Sequence, residues 1–403
     1  WSVPFLPEEV ARRDERAAVE ELKAIIVESV SRRMRSDVPV AAFLSGGVDS
    51  ATVAALLARG GNLHTFTVSL PGQPGDEARA ARAIAEHLGA KHTEVGLNLG
   101  EDTDWLEQAL DAMDVPSIDG PNVWLVSRAA REAGFKVACS GLGGDELFFG
   151  YPTFHFVPRA VRCTRFLSPL RTLRPTARSL MRRLPAIPRY SRAVDALLSG
   201  GGVAAWWLAK RGLFSEAEVR ELLEAEARDA MVQDAVARVE SLGMPAGLAT
   251  ERQVSFLELG VYMHDQLLRD SDVMGMAHGV EVRIPLIARP VVEAVARLSA
   301  GLLRGSGPKW LLREIGTPLL PEGALHGPKR GFTLNWPSIL CGTPLPTEPV
   351  LPGFLKAGTY TRERQRLCRG KAGFARLFSF EVLRRKLGAS PHLTAPSSTG
   401  GYP

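Results

Sequence analysis

The sequence has little cysteine, no long apolar run and few aromatic residues, and each scarcity removes a class of protein. Its four cysteines, Cys139, Cys163, Cys341 and Cys368, show no CxxC spacing. Neither a zinc site nor a disulfide framework is therefore expected, and a reducing cytoplasm suits the composition. The longest apolar run, Val203–Ala209, falls far short of the roughly 20 residues that cross a bilayer. No basic-then-apolar leader opens the chain, so no membrane partner is expected. The phosphate loop GxxxxGK[ST] occurs nowhere, which sets aside the ordinary nucleoside triphosphatases. Acidic residues are absent from Leu147 to Val194, where ten arginines lie between Arg159 and Arg192. Nucleic acid is one partner for such a run, but few aromatics interleave it to stack bases. A solvated helical excursion, or a positive wall near polyphosphate, is the preferred reading. The chain begins at Trp1 rather than methionine, so a fragment or a processed chain is expected.

What remains is ordinary globular material, 45% hydrophobic and 23% charged, long enough at 403 residues for two or three domains. Its organising stretch is Phe43–Thr52, FLSGGVDSAT. The apolar run Val38–Leu44 enters it and a small-residue helical pattern, Ala51–Ala58, leaves it. A strand, a glycine turn and a helix start present backbone N–H groups and a positive helix end to an anion such as phosphate. Gly46 and Gly47 let the backbone approach a ligand, while Ser45 and Ser50 add hydroxyls. Asp49 would repel phosphate unless a magnesium ion lies between them, since Mg²⁺ takes carboxylate and phosphate oxygens together.

Around that stretch strands alternate with helices. An amphipathic helix over Arg12–Arg33 carries Ala18, Leu22, Ile25, Ile26 and Ser29 on one face. Leu63–Leu70, His92–Val95 and Lys136–Ser140 read as further strands. Between them fall helices over Glu77–Leu88 (capped by Asp76), about Asp102–Met113, and a stretch stopped by Gly134. This predicts an α/β class with a doubly wound parallel sheet and a largely helical C-terminal half. Ligands in such sheets sit beyond the carboxyl ends of strands, where Ser45–Ser50 and Ser140–Asp145 both fall. The expected parts are a lead-in and helix (1–37), an α/β core (38–160) and a basic helical excursion (161–250). A helical part completing the site (251–388) and a disordered tail (389–403) follow. Glu281–Pro285 is a short strand or extended segment, and helices are expected around Pro290–Leu298 and Lys309–Ile315.

SGGVDS resembles the pyrophosphate loop of the ATP pyrophosphatase superfamily. Further blocks follow in order: LHTFTVSLPG at Leu63–Gly72, SGLGGDELFFGY at Ser140–Tyr151 and QLLRDSDVMGMAHGVEVRIP at Gln266–Pro285. KWLLRE at Lys309–Glu314 and KRGF at Lys329–Phe332 complete the set. Together they resemble the synthetase domain of the glutamine-hydrolysing asparagine synthetase family, which includes β-lactam synthetases and lasso peptide cyclases. The resemblance implies ATP and Mg²⁺, with Ser45, Gly46, Gly47, Asp49 and Ser50 on pyrophosphate and metal. It implies Leu44, Val68, Ser140 and Gly141 around the adenosine, and Asp145 as the second magnesium carboxylate. It gives Lys329 to the adenylated intermediate and the departing pyrophosphate, and turns Lys309 toward the phosphates as well. Read alone, Asp145 could equally cap a helix over Glu146–Phe149, and Lys329 could be a solvated surface lysine.

The implied reaction is amide formation through an acyl-adenylate, with the aspartate side chain as carboxylate and ammonia as amine. Leu142 departs from the pattern: asparagine synthetases carry a glutamate there and β-lactam synthetases a tyrosine. Leucine can neither accept a proton nor hold an ammonium. Glu258, Tyr262 and Asp265 are candidates to stand in, or the acceptor is a peptide or natural-product intermediate. Ala288 replaces a usual aspartate. No cysteine precedes Cys139, which leaves three alternatives: a fragment, a separate glutaminase domain or subunit as partner, or a different amine. A nucleotide-binding scaffold without turnover and a tRNA-modifying enzyme are the rival classes. Both Asp49 and Asp145 argue against the scaffold.

Overall fold

The computed structural model describes residues 3–11, 14–69, 77–96, 104–166, 191–225, 238–239, 241–326, 341, 354–369 and 374–388. Two compact units divide the chain, one of residues 1–103, 119–159 and 242–334, the other of 104–118, 160–241 and 335–403.

The first unit is built on five strands: β1 (Val40–Phe43), β2 (His64–Ser69), β3 (Lys91–Gly96), β4 (Val137–Cys139) and β5 (Glu281–Arg283). All pair in parallel, in the order β3-β2-β1-β4-β5. Parallel strands are covered on both faces, and β2 and β4 are buried at every position. Ala41, Phe66, Ala130, Ala138 and Val280 form one core cluster against this sheet. The chain winds outward from β1 through β2 to β3, then returns to place β4 on the other side of β1. That reversal is the switch point of a doubly wound sheet, so the crevice beyond β1 and β4 is the favoured ligand position.

Helices follow the expected pattern with shifted ends. Helix α1 spans Glu15–Arg33, capped by Asp14, whose side chain accepts from the Ala17 N–H at 3.0 Å. It buries Ala18, Leu22, Ile26, Ser29 and Val30, the face that the 3.6-residue period marks. Helix α2, Val48–Ala58, begins directly after the glycine turn and is buried almost all round. That burial explains its alanines. Helices α3 (Ala78–His87) and α5 (Gly120–Glu132) precede β3 and β4. The Asp76 cap lies outside the described residues, and Glu77 occupies the cap position of α3. The long helical stretch near Glu251 divides into an α-helix (Thr250–Leu257), a π-helical segment (Glu258–Leu267) and a second α-helix (Leu268–Met276). Hydrophobic period alone does not distinguish these hydrogen-bond patterns.

The described residues of the second unit are mostly helical. Arg385 in the helix Phe374–Gly388 forks onto Glu107 (2.8 Å) and Asp111 (3.0 Å) of α4, Asp104–Ala112. The Trp206 indole N–H donates to Thr164 Oγ1 at 2.9 Å. One expectation is corrected here: Cys341 and Cys368 form a disulfide, their Cα atoms 5.8 Å apart. A separation of 27 residues carries no spacing signature, so only folding reveals the pair. Cys139 is buried and Cys163 exposed, both free. Among the described residues no helix is long and apolar enough to cross a membrane.

Candidate active site

The two glycine turns that follow β1 and β4 meet in space. Gly46 takes φ +77°, and a Cβ there would lie 2.8 Å from the Ala80 Cβ, so the turn needs glycine both for its angle and for room. Ser50, in the first turn of α2, donates from Oγ to the Gly47 carbonyl at 3.1 Å. The same Oγ accepts the Ser45 N–H at 3.1 Å and lies 3.0 Å from Ser45 Oγ. The two serines thus brace one loop. Leu44 N–H donates to the Phe66 carbonyl at 2.9 Å, and Ser140 N–H to that of Arg283 at 2.8 Å. Each loop is anchored to a neighbouring strand.

Asp49 and Asp145 converge on one cation. The Lys309 ammonium lies 2.8 Å from Asp145 Oδ1 and also pairs with Asp49 Oδ2. Asp145 belongs to the short helix α6, Gly144–Leu147, whose cap residue is Gly143 with no side-chain cap bond. Asp145 stands inside that helix and not at its cap position, and its carboxylate joins the ion pair. Lys309 adopts a left-handed backbone at φ +58°, rare for a side chain of its size. Its N–H donates to the Phe148 carbonyl at 2.8 Å, holding that conformation. Burial disfavours the Lys309 charge, but the carboxylates of Asp49 and Asp145 outweigh it and hold the ammonium well above its ordinary range.

These groups face a cavity of about 220 Å³ inside the first unit. Of the expected residues, Leu44, Ser45, Asp49, Ser50, Val68, Ser140, Gly141 and Asp145 line it. Gly46 and Gly47 shape the loop behind that wall, and Lys309 joins it through its two ion pairs. Lys329 lies outside the described residues, as does most of the Arg159–Arg192 run. Leu142 also lines the cavity. The suggested replacements turn elsewhere. Glu258 is fully buried and accepts the Thr153 hydroxyl at 2.7 Å, Tyr262 donates to Asp119 at 2.9 Å, and Asp265 pairs with His264 at 2.6 Å.

Sequence reasoning missed Glu77, Asn122, Glu146 and Tyr151, all on the cavity wall. Glu146 had a legible signal: a carboxylate directly followed by Leu147, Phe148 and Phe149. Burial, then the charge of Asp145, push the Glu146 carboxyl up to about 8, against the opposing hydrogen bond from Tyr151. Burial and the Glu146 carboxylate hold the Tyr151 hydroxyl well above its usual range.

The geometry also tests a divalent ion. Two carboxylates facing one cation, on loops that already bring a helix N-terminus forward, match the oxygen donors and low protein ligand count of Mg²⁺. Gly144 and Gly150 leave no room for a Cβ against Asp49 and Asp145 respectively, so the backbone is cut back around both. The residues present fit the ion.

An α/β protein with two carboxylates and a glycine turn at its switch point defines a nucleotide-using class. Comparison narrows it. The family model described as Asparagine synthase matches residues 21–342, and the chain belongs to that family. A putative glutamine-hydrolysing asparagine synthetase of Mycobacterium bovis is 31% identical over 333 residues, covering 81% of this chain and 50% of that protein. Glutamine-hydrolysing asparagine synthetase 1 of Bacillus subtilis is 25% identical, covering 79% and 50%. The chain therefore spans about half the length of these curated relatives. A U34-tRNA thiolase structure from Methanococcus maripaludis aligns over 68% of this chain and 84% of its own at 14% identity and TM-score 0.27.

Proposed function

We propose that this chain adenylates the side-chain carboxylate of aspartate with ATP and passes it to ammonia, giving asparagine, AMP and pyrophosphate. The observation that carries the reading is the convergence of Ser45, Asp49, Ser50, Gly141 and Asp145 on one cavity at the switch point. A carboxylate oxygen is a poor leaving group, and attack on the α-phosphate of ATP replaces it by AMP. The exposed N–H groups at the start of α2 and the Ser45 and Ser50 hydroxyls suit phosphate oxygens. Asp49 and Asp145 would hold Mg²⁺, which when bound neutralises charge on the phosphates. Lys309 supplies positive charge beside both carboxylates, and Lys329 is assigned to the intermediate by the family pattern alone. Leu44, Val68, Ser140 and Gly141 are proposed to enclose the adenosine.

The relatives are named glutamine-hydrolysing, so ammonia is assigned to a glutaminase domain or subunit. A cytoplasmic location is proposed from the use of ATP, and the Cys341–Cys368 bridge is the observation against it. Leu142 on the cavity wall favours one second reading, amide or lactam closure on a peptide or natural-product intermediate.

The test is pyrophosphate release from ATP and Mg²⁺ with aspartate and ammonium, beside an Asp49→Ala control. Aspartate-dependent release that yields asparagine and vanishes in the control supports the reading. Bound ATP with no aspartate-dependent release sinks the aspartate assignment.

A further inference from the structure

The cavity wall carries a buried carboxylate oxygen of Glu146 that the described fold leaves unused. Glu146 is 1% exposed. Its Oε1 accepts the Tyr151 hydroxyl at 2.7 Å, and its backbone carbonyl accepts Ser255 Oγ at 2.7 Å. Its Oε2 is buried and has no hydrogen-bond partner among the described residues. Leaving a buried carboxylate oxygen unpaired is costly, and a native fold offsets that with water, an ion or a ligand. Glu146 and Tyr151 both line the cavity that holds Asp49 and Asp145. Every charged residue on that described wall (Asp49, Glu77, Asp145 and Glu146) is acidic. In its ionised form Glu146 accepts at Oε2, and an amine N–H is a donor that meets it there. Asp49 and Asp145 are engaged with Lys309, which separates their cation from this second acceptor.

We propose that Glu146 Oε2 receives an N–H of the amine that attacks the activated carboxylate, with Tyr151 fixing the carboxyl from its other oxygen. The pair supplies, one turn further along the chain, the polar contact that Leu142 lacks. The inference rests on the amide-forming reading and names the residue that binds and orients its amine. The π-helical segment backs this corner of the site. The Tyr262 ring lies edge-on to Tyr151 with centroids 6.0 Å apart, and Tyr262 and Gln266 both donate to Asp119 Oδ2, at 2.9 and 3.2 Å.

Glu146→Gln tests it. The amide can still accept the Tyr151 hydroxyl but turns its NH₂ donors toward the amine. Aspartate-dependent exchange of pyrophosphate into ATP should persist with an unchanged KM for ATP. The KM for ammonium, or for hydroxylamine read as hydroxamate, should rise at least about tenfold, as for loss of one hydrogen bond to a charged group. An unchanged amine KM overturns the proposal. A binding arm decides the matter even if aspartate is the wrong carboxylate. Ammonium chloride is titrated calorimetrically into the enzyme with Mg²⁺ and a non-hydrolysable ATP analogue. Tetramethylammonium, which has no N–H, is the blank. Heat seen with wild type and lost in Glu146→Gln supports the site; equal heats, or none with wild type, overturn it. Absence of aspartate-dependent exchange in wild type bears instead on the substrate reading.

Discussion

Gly141 backs so closely onto Ser50 that a Cβ added to it would stand 2.6 Å from the Ser50 Cα. The neighbouring backbone carbon of Asp49 would lie 2.8 Å away. The two glycine turns are therefore one interlocked unit, and the chemistry of each depends on the position of the other.

Gly141→Ala should force backbone from backbone, since no flexible side-chain tip can yield. Overpacking of this kind costs about 1–3 kcal/mol. Urea unfolding should show that loss, and ATP should no longer raise the melting temperature of the variant. Gly301→Ala is the control: its nearest neighbour would be Ser299 Oγ at 3.9 Å, within a helix. That change should be neutral or stabilising by up to about 1 kcal/mol. Equal midpoints for the two variants would refute the interlock.

Lys309→Met should leave Asp49 and Asp145 facing each other without a counter-charge. Removing one partner from a buried ion pair costs about 3–5 kcal/mol, and Lys309 is 8% exposed. Millimolar Mg²⁺ should return part of that stability, because the ion meets the same two carboxylates. Melting temperatures with Mg²⁺ and with EDTA decide this. A Mg²⁺ shift no larger in the variant than in wild type would count against a shared cation position.

The sequence made the α/β core legible because its signals are local. A buried strand is a short apolar run, and SGGVDS and SGLGGDE each combine turn residues with a carboxylate. Alternation with helices predicts parallel strands in a doubly wound sheet, while the order β3-β2-β1-β4-β5 emerges only in the fold. The partnership of Asp49 with Lys309 spans 260 residues and depends on a left-handed lysine that no propensity favours. Glu146 stands directly beside Asp145, and only the fold separates a buried carboxylate from a metal-facing one there. The Cys341–Cys368 pair lies between helices of the second unit, where the sequence has no repeating pattern to fix a register.

That disulfide closes a loop of 27 residues. Chain-entropy reasoning gives about 3.5 kcal/mol of stabilisation for a loop of this length. Reduction, or Cys368→Ser, should lower the denaturation midpoint under otherwise equal conditions. Mass spectrometry of the unreduced protein should recover one cross-linked peptide containing both cysteines. Recovery of four alkylated cysteines without reductant would remove the bridge from the native protein.

The two histidines at the head of β2 and β3 set a stability slope on the acid side. His64 Nε2 lies 2.8 Å from Thr93 Oγ1, and His92 Nδ1 lies 2.7 Å from Thr65 Oγ1. Burial lowers both imidazoles first, then Lys91 lowers His64 further, while Glu94 partly opposes the burial of His92. Folded histidines with lowered values resist a proton that the unfolded chain accepts near pH 6.5. Between those lowered values and about pH 6.5 the unfolded state binds more protons, so stability falls as pH falls. Each such group contributes at most about 1.4 kcal/mol per pH unit. Urea midpoints should drop from pH 7.5 to 5.5, and His92→Gln should flatten the drop relative to wild type. Other titrating groups are common to both proteins and cancel in that difference. A slope identical in the two would show that His92 takes up its proton as readily in the folded protein as in the unfolded chain.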